Sequence, residues 1–466
     1  MDRGLLRVLQ VVHTFLPESH TGTEIHTLEL CQALNQSGEV TPLVFAPRVK
    51  DGVVPGTLEK EEVDGIPVVR ICHPETLRPD RNPLVEAGFK QVLDQWKPHL
   101  IHFQHCAWGG ERLPQLAAEA GVPSVYTLHD YWGICPRSTL LTVQGELCPG
   151  PGTTGARCLD QCWLERPGRR TLRKAAWGLD SLTGHRLPVL PALSGLREGR
   201  MHLEGWVGRP HRLQALMEFP TAFIAPSKHV AQRYGAWGLE TERLERIPHG
   251  VNAAWARDLP SPPVRAEADA VRFGFIGTPL PHKGLHLLIE AFSRLPQGGA
   301  TLTIHAHLDD PANPYALELG IRCASLPGIT VAGRFPRERL GQVFQGMDVL
   351  VVPSVWEEMF GLVVLEARLA GVAVVVSEMG GLPELVRNRV DGLVVPPDRV
   401  DPLHGALKRF VDEPALARRL AGAAPPTRTM QECAAETARL YARVSGRWTG
   451  ARWGVESPTS PPRKGE

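Results

Sequence analysis

The chain of 466 residues is 43% apolar and 22% charged, with a formal net charge of +1. That length exceeds what one core supports and points to two domains or more, while the balanced charge removes the global positive field of a nucleic-acid binder. No signal peptide is evident and no apolar run approaches the ~20 residues of a membrane-spanning helix, so a cytoplasmic enzyme with its nine cysteines reduced is the expectation.

Short Val/Ile/Leu runs alternate with amphipathic stretches, the pattern of parallel α/β architecture. Residues 5–12 read as a strand, and 24–35 as a helix with apolar residues at helical spacing. The loop between them, PESHTGTE, carries one glycine, Gly22. Further strands are expected at 42–46, 68–71, 100–103 and 124–128. The segment YTLHDYW puts His129 and Asp130 at the C-terminal end of the last of these, where sites of parallel sheets gather. Asp130 is expected to fix the His129 imidazole for proton transfer, although an HD pair alone also has a structural reading.

Cys135, Cys148, Cys158 and Cys162 follow within 28 residues of a Gly/Pro-rich loop. A structural zinc, packed thiols and disulfides are the readings open to it. The rhythm is then lost from 165 to 220. Residues 166–212 hold ten Lys/Arg against three Asp/Glu, with Trp177 and Trp206 among them. This reads either as a solvated insertion or as a peripheral contact surface for anionic lipid or a charged glycan. Residues 221–225 and 228–234 form another strand and helix, with Ser227 as N-cap.

After a proline-rich linker at 260–263 a second α/β series begins. Its strands are expected at 272–276, 301–306, 329–332, 349–352, 373–376 and 393–395, with a helix at 285–295. In FIGTPLPHKG the first strand ends at Gly277-Thr278, and Lys283 stands before a helix, placed to neutralise a diphosphate. EMGGLPE puts Gly380 and Gly381 before another helix start, a second anion-ready turn. Between them PSVWEEMFGLVVLEARLAG carries Glu358 on a strand-to-helix turn and Glu366 on the helix. Eight residues of helical rise separate the two by roughly 12 Å. Two carboxylates serving one glycosidic bond lie roughly 5–9.5 Å apart. The pair therefore reads as two anchors for one long ligand. A helix near 429–447 closes the molecule, and the last residues read as a disordered tail.

Together, E-x7-E with its preceding Pro353-Ser354, Phe360-Gly361, IGT…HKG, GGLPE and DGLVVPP resemble the donor domain of GT-B retaining glycosyltransferases of the family 4 (glycosyltransferase group 1) type. PHGVN at 248–252 is similar to that family's interdomain segment. The resemblance implies two facing Rossmann-like domains with a cleft between them. Residues 1–255 would form the acceptor side, 256–428 the donor domain and 429–448 the closing helix, with 449–466 a tail.

By the same resemblance Glu358 would lie at the transferred sugar, with Glu366 on the ribose and Lys283 on the diphosphate. Phe360 and Gly361 would shape the turn, Gly333 and Arg334 would open the base loop, and His129 would position the reacting sugar. The activity implied is retaining transfer from a nucleotide-diphosphate sugar to a glycan or lipid-linked acceptor in glycoconjugate synthesis. No cofactor is required for it, and a metal in the cysteine loop would be structural. Two departures stand out. Thr278 replaces a common Arg, and Gly22 stands alone where Gly-Gly is common. They leave open an idle glycan- or nucleotide-binding protein, beside another GT-B enzyme such as a sugar-nucleotide epimerase.

Overall fold

Each half of the chain winds one mainly parallel sheet. The computed structural model describes residues 5–74, 82–107, 109–151, 156–158, 162, 212–257, 259 and 269–447. The first sheet contains β1 (Leu6–Val11), β2 (Val40–Val49), β3 (Leu58–Val63), β4 (Ile66–His73), β5 (Leu100–Phe103), β6 (Ser124–Thr127), β7 (Ala222–Ala225) and β8 (Leu244–Arg246). Their spatial order is β3-β4-β2-β1-β5-β6-β7-β8. Around it lie α1 (Gly22–Gln36), α2 (Pro83–Trp96), α3 (Leu113–Glu119) and α4 (Lys228–Ala236). Ser227 caps α4 as expected, accepting the Val230 N–H at 3.2 Å.

Strand β3 was not foreseen. It pairs antiparallel with β4 through Asp64 and Gly65, whose φ angles are 47° and 81°. An Asp-Gly dipeptide is suited to that two-residue turn, which was the available signal.

The second sheet is parallel throughout, in the order β11-β10-β9-β12-β13-β14. Its strands are β9 (Val271–Ile276), β10 (Ala300–His305), β11 (Ile329–Val331), β12 (Val349–Val352), β13 (Ala373–Ser377) and β14 (Leu393–Val395). The helices are α5 (Leu285–Ser293), α6 (Pro314–Ala324), α7 (Leu340–Gln345), α8 (Leu362–Leu369), α9 (Leu382–Leu385), α10 (Val400–Asp412) and α11 (Leu416–Gly422). Helices on both faces explain why VLVV and AVVVS are apolar at every position but the last serine.

The chain then returns to the first domain. Helix α12 (Met430–Ser445) starts in a capping box between Thr429 and Glu432. It buries Met430, Cys433, Ala434, Ala438 and Tyr441 against Leu6, Val8, Leu30 and Leu34. Among the described residues no helix is long and apolar enough to cross a membrane. Of the basic stretch 166–212 only Arg212 is described, with Nε 3.2 Å from Glu111. The linker at 260–263 and the tail lie outside the described residues.

Strand order reverses beside β1 in one sheet and beside β9 in the other, and loops at such switch points bind ligands. Here the two sets of loops meet. Trp356 and Met359, from the loop after β12, are buried in the core of the first domain. Ser227 Oγ donates to the Met359 carbonyl at 2.8 Å.

Candidate active site

On the donor side, the loop after β9 delivers Lys283 and the loop after β12 delivers Glu358. Lys283 Nζ lies 2.7 Å from Glu358 Oε1 and 4.9 Å from the centre of the Trp356 ring. Ser354 Oγ donates to the same carboxylate oxygen at 2.7 Å. Burial pulls the Glu358 carboxyl upward, but Lys283, Ser354 and Trp356 outweigh it and hold the group below its ordinary value. Glu358 is therefore ionised although it is only 8% exposed.

The Gly380-Gly381 turn packs directly on this carboxylate's backbone. Gly380 has φ +59°, and a Cβ there would overlap the Glu358 main chain. The Gly381 N–H donates to the Glu358 carbonyl at 2.6 Å. Gly361, at φ +107°, makes the bend from which α8 starts, with Phe360 buried beside it. Gly277 and Thr278 follow β9, with Thr278 exposed, so Lys283 is the cation the loop brings to Glu358.

One turn into α8, Glu366 is buried and pairs with Arg337, Nη1 to Oε1 at 2.7 Å. The second arm of the same guanidinium reaches Glu29 Oε1 of α1, in the opposite domain, at 2.8 Å. Glu29 Oε2 in turn accepts the Asn252 N–H at 3.1 Å. Arg334 is exposed in the loop that Gly333 opens, so Arg337 rather than Arg334 is the arginine brought to Glu366.

Across the cleft, His129 stands at the end of β6. Its Nε2 lies 2.6 Å from Gln104 Oε1. Gln104 continues to Gln10 Oε1 at 2.9 Å and His102 Nδ1 at 3.1 Å, and His102 reaches the Tyr441 hydroxyl at 2.6 Å. Because Gln104 donates through its amide nitrogen, its oxygen accepts from His129, which fixes the Nε2–H tautomer and leaves Nδ1 as an acceptor. His129 also meets His26 and His249, each with ring centroids 5.2 Å away, and His249 touches Phe360 at 5.3 Å. Burial, reinforced by His249 and His26, holds the His129 pKa well below 6.5, so the imidazole is neutral at pH 7.

Asp130 does not fix His129. Its Oδ2 lies 3.1 Å from His105 Nε2, and its Oδ1 accepts the Trp132 N–H at 2.6 Å. The strand ends at Thr127 and the chain bends at Asp130, which turns the carboxylate to His105 and the Trp132 amide instead. Gly22 sits at the head of α1, where an added Cβ would stand 3.8 Å from Leu362 of α8. The lone glycine loop thus does meet the donor helix.

With this geometry in place, comparison with known proteins is decisive for the family. Residues 262–425 match the family "Glycosyl transferases group 1", and residues 20–154 match "Glycosyltransferase Family 4". The chain belongs to these glycosyltransferases. A D-inositol 3-phosphate glycosyltransferase of Xylanimonas cellulosilytica is 31% identical over 233 residues, which are 45% of this chain and 54% of that protein. The chain spans about half or less of the length of the first curated relatives it matches. Sucrose-phosphate synthase from Thermosynechococcus elongatus aligns over 95% of this chain and 99% of its own, with TM-score 0.63 and 19% identity. Anabaena HepE, in complex with UDP and glucose, aligns over 94% and 100%, with TM-score 0.59 and 16% identity. The shared architecture is GT-B.

All four cysteines of the 135–162 loop are buried. Among the described residues no group of three or more His, Cys, Asp or Glu is arranged to hold a metal ion. Sequence reasoning missed Arg337, Glu29, Gln104, His26 and His249. The signal for Glu29 and His26 was polarity at buried positions of α1, among Ile25, Leu28 and Leu30. No comparable signal marks Arg337, one of three arginines in GRFPRER.

Proposed function

We propose that the protein transfers a sugar from a nucleoside-diphosphate sugar to an acceptor hydroxyl with retention at the anomeric carbon. The observation that carries the reading is the placement of Glu358 and Glu366, two buried carboxylates on one strand–turn–helix segment, opposite the neutral His129. Glu366 accepts from the ribose hydroxyls, Lys283 and the amides opening α5 receive the diphosphate, and the sugar lies by Glu358. The acceptor proposed is a glycan or lipid-linked glycan entering from the first domain. HepE, holding UDP and glucose, supports this class of donor.

In the reaction the bond from the anomeric carbon to the phosphate oxygen breaks, and the acceptor oxygen bonds to the same face of that carbon. The acceptor proton passes to the departing phosphate oxygen, giving the nucleoside diphosphate. His129, a weak base at this pKa, serves as a hydrogen-bond acceptor that orients a sugar hydroxyl rather than as the proton store. Closure, with Trp356 and Met359 sealed into the first domain, excludes water that would hydrolyse the donor.

The test is release of nucleoside diphosphate from UDP-, GDP- and ADP-sugars with and without glycan acceptors. Turnover by the wild type, lost in Glu358→Ala while UDP, GDP or ADP still binds, is the expected result. Nucleotide binding without any turnover would instead identify an idle binding protein, the outcome that Thr278 favours.

A further inference from the structure

The loop GRFPRER holds Arg334, Arg337 and Arg339, and the outer two are exposed. Arg337 opens the short 3-10 turn Arg337–Arg339 after Pro336 and points inward. Its two Nη atoms serve different domains, Nη1 at 2.7 Å from Glu366 Oε1 and Nη2 at 2.8 Å from Glu29 Oε1. Glu29 is further held by the Asn252 N–H, in the segment that joins the domains. One guanidinium thus links the donor helix, the acceptor-side helix α1 and the interdomain segment.

We propose that Arg337 is a positioning residue that fixes the Glu366 carboxylate for the donor ribose and, through Glu29, couples donor binding to closure of the first domain. The inference rests on the reading of Glu366 as the ribose anchor. A planar guanidinium is suited to this task, because its fork can hold two carboxylates at fixed angles where an ammonium is a single point charge. Arg337 engages one oxygen of Glu366, so Oε2 keeps its lone pairs for a ribose hydroxyl. The pairing also settles a charge problem. Glu29 and Glu366 are both buried and repel one another, and Arg337 between them offsets that repulsion.

Glu29 stands in the opposite domain, outside the donor pocket. If the bridge operates, a change there alters nucleotide affinity through Arg337, since a contact made only in the closed state is linked to whatever ligand favours that state. A residue that merely stabilised α1 would leave that affinity unchanged.

The experiment titrates UDP, GDP and ADP calorimetrically into the full chain and carries the tightest binder into variants. Glu29→Gln and Arg337→Ala are each expected to weaken it about tenfold. Their combination should be no weaker than Arg337→Ala alone, the signature of two residues acting as one unit. Glu366→Ala should weaken binding and remove the preference for the nucleotide over its 2′,3′-dideoxy analogue. Unchanged affinity in a folded Glu29→Gln protein, or effects of Glu29 and Arg337 that simply multiply, overturns the coupling. If Glu366→Ala leaves affinity intact, or none of the three nucleotides binds, the donor-site reading itself falls and the inference with it. Should Arg337→Ala not fold, Arg337→Lys replaces it. Weakened binding there supports the bridge, and full wild-type affinity overturns it.

Discussion

Lys283 and Glu358 are salt-bridged across the switch point of the second sheet, Nζ to Oε1 at 2.7 Å. Ser354 adds a second donor to the same oxygen. The arrangement keeps Glu358 charged in the absence of donor and holds the one cation of the 277–284 loop over it. An incoming diphosphate then has to draw Lys283 partly away from a carboxylate it already neutralises. That sets the donor affinity against the strength of the pair.

Lys283→Met removes the charged partner and leaves Glu358 buried with only Ser354 and Trp356. Its pKa should rise, and stability should fall by about 1–3 kcal/mol, toward the lower end because Lys283 is partly exposed. Lys283→Met combined with Glu358→Gln should recover most of that loss while turnover stays absent. Urea midpoints of the three proteins, with donor hydrolysis alongside, check both halves. A double variant as unstable as Lys283→Met would show that the pair is not what the lysine contributes.

The histidines of the cleft predict acid sensitivity. Burial lowers the His26 pKa from 6.5 to about 4, and His129 and His249 also lie well below 6.5. For such groups the unfolded chain binds the proton more readily, so folded stability is full above pH 6.5 and is lost as pH falls toward the folded values. His26 alone accounts for about 3 kcal/mol between pH 7 and pH 4. The depressed pKa of Glu358 adds a loss in the same direction, but only below about pH 4.5, so the upper part of the fall belongs to histidine. Urea midpoints between pH 7.5 and 5 should decline, and His26→Phe should flatten the decline. An equally steep fall in that variant would remove His26 from the account.

Much of the donor half was legible because its chemistry is local. DVLVV followed by PSVWEEMFG states a buried parallel strand and the turn after it, and the structure has β12 at Val349–Val352 and the bend at Gly361. The acceptor half was less legible because its side chains are assembled from afar. Arg337 and Glu29 are 308 residues apart, and His129 is held by Gln104 on a neighbouring strand's end. Residue type alone offers no means of pairing them. Asp130 misled for a related reason: adjacency in sequence suggested a pair, whereas the bend after β6 commits the carboxylate to His105 and the Trp132 N–H. The charged strand β3 lacks an apolar face to betray it, and only the Asp64-Gly65 turn announced it.

Closure of the two domains rests partly on a cap supplied from outside the helix it serves. The Glu384 carboxylate, from GGLPE of the second domain, accepts the N–H groups of Lys228 and His229 at 2.9 and 2.8 Å. Those amides open α4 of the first domain and have no partner within their own helix. A carboxylate at a helix N-terminus also meets the positive end of the helix dipole. Beside it, Glu357 pairs with Arg233 at 2.8 Å, which adds an ion pair to the domain contact. Glu384→Ala should therefore cost about 1 kcal/mol, as the loss of an N-cap does, and the cost should fall on the domain contact rather than on either core. Small-angle scattering of Glu384→Ala without nucleotide should give a larger radius of gyration than wild type, and saturating nucleotide should bring the two together. A variant as compact as wild type without ligand would mean that Trp356 and Met359, sealed into the first core, hold the cleft shut without help from the cap.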